Sequence, residues 1–196
     1  MRPGWRALHW CVVAHGAAWT GRWDRALRAW HRVVAVQPDS VDARASRAWA
    51  AGRAGQWALA RDDWEAVVTA SPQDAVAQYN LGFVCDQAGQ PARALACFEA
   101  ACALDPRADR AWYGRGLALV GLGRWQEALQ AFEVNAQLQP ISPYGWTQIA
   151  RVGHRLGLDD RVRTAMARLG QVDAAVARAV AQELAQPNAV IKPVLA

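Results

Sequence analysis

Apolar residues recur at three- and four-residue spacing along most of the chain, the period of a helix with one buried face. Chain-breaking residues cut this pattern into short segments. Glycine falls at Gly21, Gly55, Gly89, Gly123 and Gly157, and proline at Pro38, Pro72, Pro106 and Pro140, each series at an interval of 34 residues. Glycine closes a helix where a left-handed backbone is needed; proline stops one because it lacks the amide and clashes with the preceding turn. The pattern predicts paired helices over about 5–19 and 22–36, 41–54 and 56–70, 75–88 and 91–104, 109–121 and 125–138, and 143–156 and 159–169. An eleventh helix over about 173–185, with Val176, Val180 and Leu184 at four-residue spacing, would cap the open apolar end of the last pair.

Written as 34-residue units beginning at Ala7, Val41, Ala75, Asp109 and Pro143, the chain shows fixed columns. Position 8 is Ala14, Ala48, Gly82, Gly116 and Ala150; position 20 is Ala26, Ala60, Ala94, Ala128 and Val162. Position 24 is Trp30, Trp64, Phe98, Phe132 and Met166. Small residues at 8 and 20 let the two helices of a unit approach closely, and the bulky residue at 24 fills the space beside them. Asp39, Ser71 and Asp74 are expected to supply caps or first-turn charge to the following helices. A strict tandem period means units that stack on their neighbours and build a core between them.

These columns resemble the tetratricopeptide repeat, whose pattern couples W-x₂-L-G-x₂-Y to a later A-x₃-F and P. The third unit has Leu81-Gly82, Ala94-x₃-Phe98 and Pro106; the fourth has Trp112, Gly116, Ala128-x₃-Phe132 and Pro140. The resemblance covers about residues 7–170 and implies an all-α, right-handed superhelical solenoid of about five hairpins plus a capping helix. A single domain is expected over 1–186, with units at about 7–40, 41–74, 75–108, 109–142 and 143–172, then a tail at 187–196. The chain departs from the family pattern at Arg47 and Arg115, where leucine is usual, at Asn135, and at Ala174 in place of the last proline. Both arginines are expected to snorkel out of the stack.

In this family the first helices line a concave groove, mostly through positions 2, 5, 6, 9, 12 and 13. Carried over, those positions offer His15 and Trp19; Trp49 and Arg53; Tyr79, Asn80 and Phe83; Arg110, Tyr113 and Leu117; and Tyr144, Gln148, Arg151, His154 and Arg155. Eight of the eleven tryptophans, at positions 4, 17 and 24, are read as packing residues, and Trp5 as covering the first unit; Trp19 and Trp49 point to the groove as aromatic anchors. Arg151, His154 and Arg155, at i, i+3 and i+4, share a helical face suited to an acidic side chain or terminal carboxylate. The lysine and asparagine pattern of members that bind chaperone tails is not reproduced. Asn80 and Arg110 match two of its five positions, whereas Cys11, His15 and Ala45 break the others.

Composition narrows the function further. Net charge is +5, but basic and acidic residues are interspersed in both halves with no basic arm, which disfavours nucleic acid. Cys11, Cys85, Cys97 and Cys102 form no CxxC pair and are expected to be reduced core thiols, so no metal or cofactor is expected. His9, His15, His31 and His154 are scattered without a nucleophile or acid at a defensible spacing, and no phosphate-binding glycine loop occurs, so the chain is expected not to be an enzyme. No apolar run of about 18 residues suggests a membrane span, and the tryptophan- and histidine-containing start makes a poor secretory signal; a cytoplasmic location is expected. The apolar tail is expected to fold back over the groove or to remain a free end. The leading expectation is an adaptor holding a partner's peptide or helix in the groove. The alternative is a chaperone shielding an apolar segment of a client, and self-association through the terminal units stays open.

Overall fold

The computed structural model describes residues 3–186, apart from the side chains of Pro3 and Arg6; the expected tail at 187–196 lies outside the described residues. Among the described residues there are eleven helices and no strand: α1 (Pro3–Trp19), α2 (Trp23–Val36), α3 (Val41–Arg53), α4 (Trp57–Ala70), α5 (Ala75–Gln87), α6 (Pro91–Leu104), α7 (Asp109–Gly121), α8 (Trp125–Leu138), α9 (Pro143–Arg155), α10 (Asp159–Val172) and α11 (Ala174–Leu184). The expected helices are all present among the described residues. Helix α10 runs three residues beyond the expected 169, because Ala174 replaces the proline that would have stopped it.

Each turn between paired helices is built on one glycine, at φ +69° to +73° for Gly21, Gly55, Gly89, Gly123 and Gly157. The next amide reaches back to the carbonyl five residues earlier, as from Arg22 to Ala17 at 2.9 Å and from Arg124 to Leu119 at 2.9 Å. This satisfies carbonyls that the helix end would otherwise orphan, and only glycine adopts that backbone at little cost. At the other connections Asp74 accepts from the amides of Val76 and Ala77, and Ser40 accepts from that of Ala43. Ser40 rather than Asp39 therefore caps α3, and Ser71 sits at the C-terminal end of α4.

The chain divides into two compact units, residues 1–97 and 98–196, the division falling within α6. In the first, α1 packs on α2, α2 on α3, α3 on α4 and α4 on α5. Ala14, Ala26, Ala48 and Ala60 are fully buried at the close approaches, with Trp30 and Trp64 filling beside them. Arg47 does not snorkel. Its Nε and Nη2 donate to both carboxylate oxygens of buried Asp63 at 2.6 and 2.7 Å, which joins α3 to α4 inside the stack. Partial desolvation, and then the Arg47 charge, lower the pKa of neighbouring His31. The neighbouring Cys97 thiol, aided by Arg93 and Arg61, lowers Cys85 to about 7, while Cys97 moves up.

In the second unit α7 packs on α8, α8 on α9, α9 on α10, and α11 on both α9 and α10. Phe98 lies so close to Gly114 that an added Cβ would meet its ring at 2.6 Å, and Phe132 crowds Gly116 in the same way. Asn135, buried where the pattern expects an apolar residue, donates to the Asp109 carbonyl at 2.9 Å and so ties α8 to the start of α7. Trp112 and Trp146 each donate their indole N–H to a repeat proline carbonyl, Pro106 and Pro140, at 3.0 Å. Arg115 stacks over Trp112 and lies 3.6 Å from Glu99, so it does reach outward along an aromatic surface. Val180 of α11 is buried against the last hairpin, as expected of a capping helix.

Candidate functional site

In the first unit the candidate surface is built on Trp23, at the start of α2. Trp49 of α3 meets it edge-to-face, with ring centroids 4.9 Å apart, and the Arg53 guanidinium lies 5.0 Å above the same ring. Trp49 remains 49% exposed. An indole held on one side and open on the other is a ready-made anchor, because its orientation has already been fixed. Beside it is an open cavity of about 490 Å³ whose lining includes Arg22, Arg25, Arg28, Arg53 and Asp24. Trp23, expected to be a packing residue, packs and also forms the floor of this surface. Phe83 of α5 sits on Trp57 in a similar way, at 6.4 Å, and Tyr79 and Asn80 beside it are half-buried. Trp19 stands apart, 93% exposed at the end of α1. With Trp5, Leu8, Val12 and His15 it continues an exposed stripe at three- and four-residue spacing along that helix.

In the second unit the sequence-predicted residues separate. Leu117 is 2% exposed, so it belongs to the core between α7 and its neighbours and offers nothing to a partner. Arg110 is exposed at the start of α7. The expected cluster on α9 is divided among three environments. Arg151 donates through Nε and Nη2 to Glu183 of α11, at 2.9 and 2.7 Å. Arg155 stacks over Trp125 at 5.0 Å, and His154 is exposed. The carboxylate expected from a partner is thus supplied to Arg151 by the chain's own capping helix. The relation of Arg155 to Trp125 repeats that of Arg53 to Trp23 at the same 30-residue offset, a signal legible in the sequence once both columns are read together.

Tyr113, Tyr144 and Gln148 do converge. The rings of Tyr113 and Tyr144 meet edge-to-face at 6.2 Å, and Gln148 Nε2 donates to the Tyr113 hydroxyl at 3.1 Å. With Pro143, Thr147, Arg151 and Val176 they line a cavity of about 200 Å³. Burial moves the Tyr113 phenol upward, so it stays protonated at neutral pH. Val176 belongs to α11, and the family groove positions gave no indication of it. Among the described residues no group of three or more His, Cys, Asp or Glu side chains is placed to hold a metal. Nor is any helix among them long and apolar enough to cross a membrane.

A family model for the tetratricopeptide repeat matches residues 17–75 and 86–143. The chain belongs to the tetratricopeptide-repeat family. Solved structures agree on the fold. A crystal structure of MamA protein is similar with a TM-score of 0.80 at 20% identity, covering 89% of this chain and 96% of that one. MamA from Desulfovibrio magneticus RS-1 gives 0.77 at 21% identity over 89% and 96% of the two chains. YrrB, described as a tetratricopeptide-repeat protein with an unusual peptide-binding site, gives 0.72 at 18% identity over 86% and 88%. No curated protein matches significantly in sequence. Tetratricopeptide-repeat proteins are generally non-enzymatic interaction modules, and the chain shares the fold of protein–protein interaction scaffolds.

Proposed function

We propose that this tetratricopeptide-repeat protein is a non-enzymatic adaptor that holds an extended or helical segment of another protein against the first helices of its hairpins. The observation that carries the reading is the assembly of Trp49, Trp23 and Arg53, an exposed indole already immobilised beside an arginine. Burying such an anchor costs little further side-chain entropy, which is why tryptophan and arginine dominate the energetics of interfaces. Among the described residues Arg22, Arg25, Arg28 and Arg53 form no ion pair, so the segment suited to this surface carries an apolar residue for Trp49 and acidic residues beside it.

The test is capture of partners by the purified chain, identification by mass spectrometry, and titration of the isolated partner. Trp49→Ala is expected to weaken its Kd by about thirtyfold or more, the size of a loss of ~2 kcal/mol at an anchor. Arg53→Ala should cost less and reduce the dependence on salt. Unchanged affinity in Trp49→Ala refutes the reading. So does capture of nucleic acid alone, with affinity falling steeply as salt rises.

A further inference from the structure

Arginine gathers at one end of the first hairpin with almost no acid to answer it. Arg22, Arg25 and Arg28 follow one another at three-residue spacing from the start of α2, so each neighbours the next on the helix surface. With Arg53 from the end of α3 they line the open cavity of about 490 Å³, and Asp24 is the one acid among its lining residues. All four side chains are exposed, and among the described residues none forms an ion pair or a side-chain hydrogen bond; Arg53 stacks on Trp23 instead. Positive charges around a concavity repel one another, and an anion placed between them relieves that repulsion.

Other units show how the fold neutralises arginine at these repeat positions. Arg124, equivalent to Arg22, donates to both carboxylate oxygens of Glu127 at 2.7 and 2.6 Å. Arg93 and Arg161, equivalent to Arg25, pair with Glu65 of α4 and Glu133 of α8 at 2.5 and 2.6 Å. Asp62 stands where the first unit has Arg28. In the first unit these positions are basic and unanswered. A carboxylate brings one negative charge and would leave the lining basic. A phosphate monoester brings about −1.5 to −2 at neutral pH and three acceptor oxygens, which several donor-only guanidiniums can share. The volume lies within the roughly 300–1,000 Å³ of ligand sites, room for a phosphate and the residue that carries it. A nucleic-acid backbone needs basic residues along its track, whereas the exposed stripe of α1 that ends at Trp19 offers Leu8 and Val12.

We propose that this cavity binds the phosphate of a phosphorylated serine or threonine in the partner segment, held by Arg22, Arg25, Arg28 and Arg53. This rests on the reading of the chain as a holder of protein segments, and it makes capture depend on modification of the partner. Because Trp23 and Arg53 belong both to the cavity and to the setting of Trp49, the phosphorylated residue lies close to the apolar residue that meets that indole.

The test uses the full chain and two probes, N-acetyl-O-phosphoserine N-methylamide and N-acetylglutamate N-methylamide, which carry a phosphate and a carboxylate. NMR titration that follows the arginine Nε–Hε signals should show the phosphoserine probe bound about tenfold more tightly, with shifts at Arg22, Arg25, Arg28 and Arg53. That advantage should shrink as pH falls below about 6, where the phosphate loses its second charge. Arg25→Glu, which rebuilds the arrangement of Arg124 with Glu127, should abolish binding. Arg168→Glu makes the same change in net charge at an exposed position of α10 and should leave binding intact. Equal affinity for the two probes, shifts at other arginines, or equal loss in Arg25→Glu and Arg168→Glu would overturn the proposal. The identified partner should lose affinity on phosphatase treatment. Capture that survives this treatment yet still fails in Trp49→Ala removes the phosphate proposal alone. Capture indifferent to Trp49→Ala, with phosphoserine selectivity intact, removes the adaptor reading instead.

Discussion

Asp63→Ala should be among the most destabilising single changes in the first unit. The Asp63 side chain is 2% exposed and that of Arg47 is 15% exposed, and two hydrogen bonds of 2.6 and 2.7 Å join them. Removing the carboxylate leaves a nearly buried guanidinium uncompensated, a situation that costs about 3–5 kcal/mol. Arg47 retains some access to water, and Arg44, itself 3.6 Å from Asp63, would add repulsion once the acid is gone. The lower end of the range, ~3 kcal/mol, is therefore expected. For a chain of this size that lowers Tm by about 6–12 °C, measured by circular dichroism. Replacing both partners, Arg47→Leu with Asp63→Leu, removes the charge problem altogether and restores the leucine that the repeat pattern favours. The double variant should be more stable than the sum of the two single changes by about 2 kcal/mol. A Tm within about 2 °C of the unaltered chain for Asp63→Ala, or strict additivity in the cycle, would refute the reasoning.

Three further outcomes follow from the packing and the titrating groups. Gly114→Ala places a Cβ 2.6 Å from the Phe98 ring and should cost about 1–3 kcal/mol in thermal melts, whereas Gly16→Ala, with nothing within 4 Å, should be neutral or slightly stabilising. His31 has a lowered pKa in the fold, so the unfolded chain binds its proton first; stability should fall as pH drops through about 6.5, and His31→Asn should flatten that slope in Tm against pH. Cys97→Ala should move the Cys85 thiol from about 7 back towards its ordinary range, read by the ultraviolet absorbance of the thiolate.

The fold was legible because the 34-residue columns record backbone requirements directly. A left-handed φ demands glycine at Gly21 and its four equivalents, and Phe98 against Gly114 demands a residue without a side chain. The polar interior was less legible. Arg47 reads as a lapse in an apolar column, since its partner lies 16 residues away on another helix and no period links them. Arg151 was misread for a related reason. Its partner, Glu183, sits on a helix joined to α10 by the single residue Asp173, where connections such as 37–40 and 139–142 have four residues. That shorter linker takes α11 out of the repeat register, so family groove positions could not show that Arg151 is occupied or that Val176 lines a pocket. Trp23 reads as a packing residue because tryptophan recurs in its column at Trp57 and Trp125, while its exposed partner Trp49 belongs to the next unit.

The central claim is that the first helices of the hairpins, together with the start of α2, present the binding surface, and that α4 and α8 do not. Amide hydrogen exchange on the chain alone and with its captured partner tests this most directly. The account predicts new protection along α3, α7 and α9, with α4 and α8 unchanged. Protection confined to α4 and α8, with α3 exchanging as before, would contradict it.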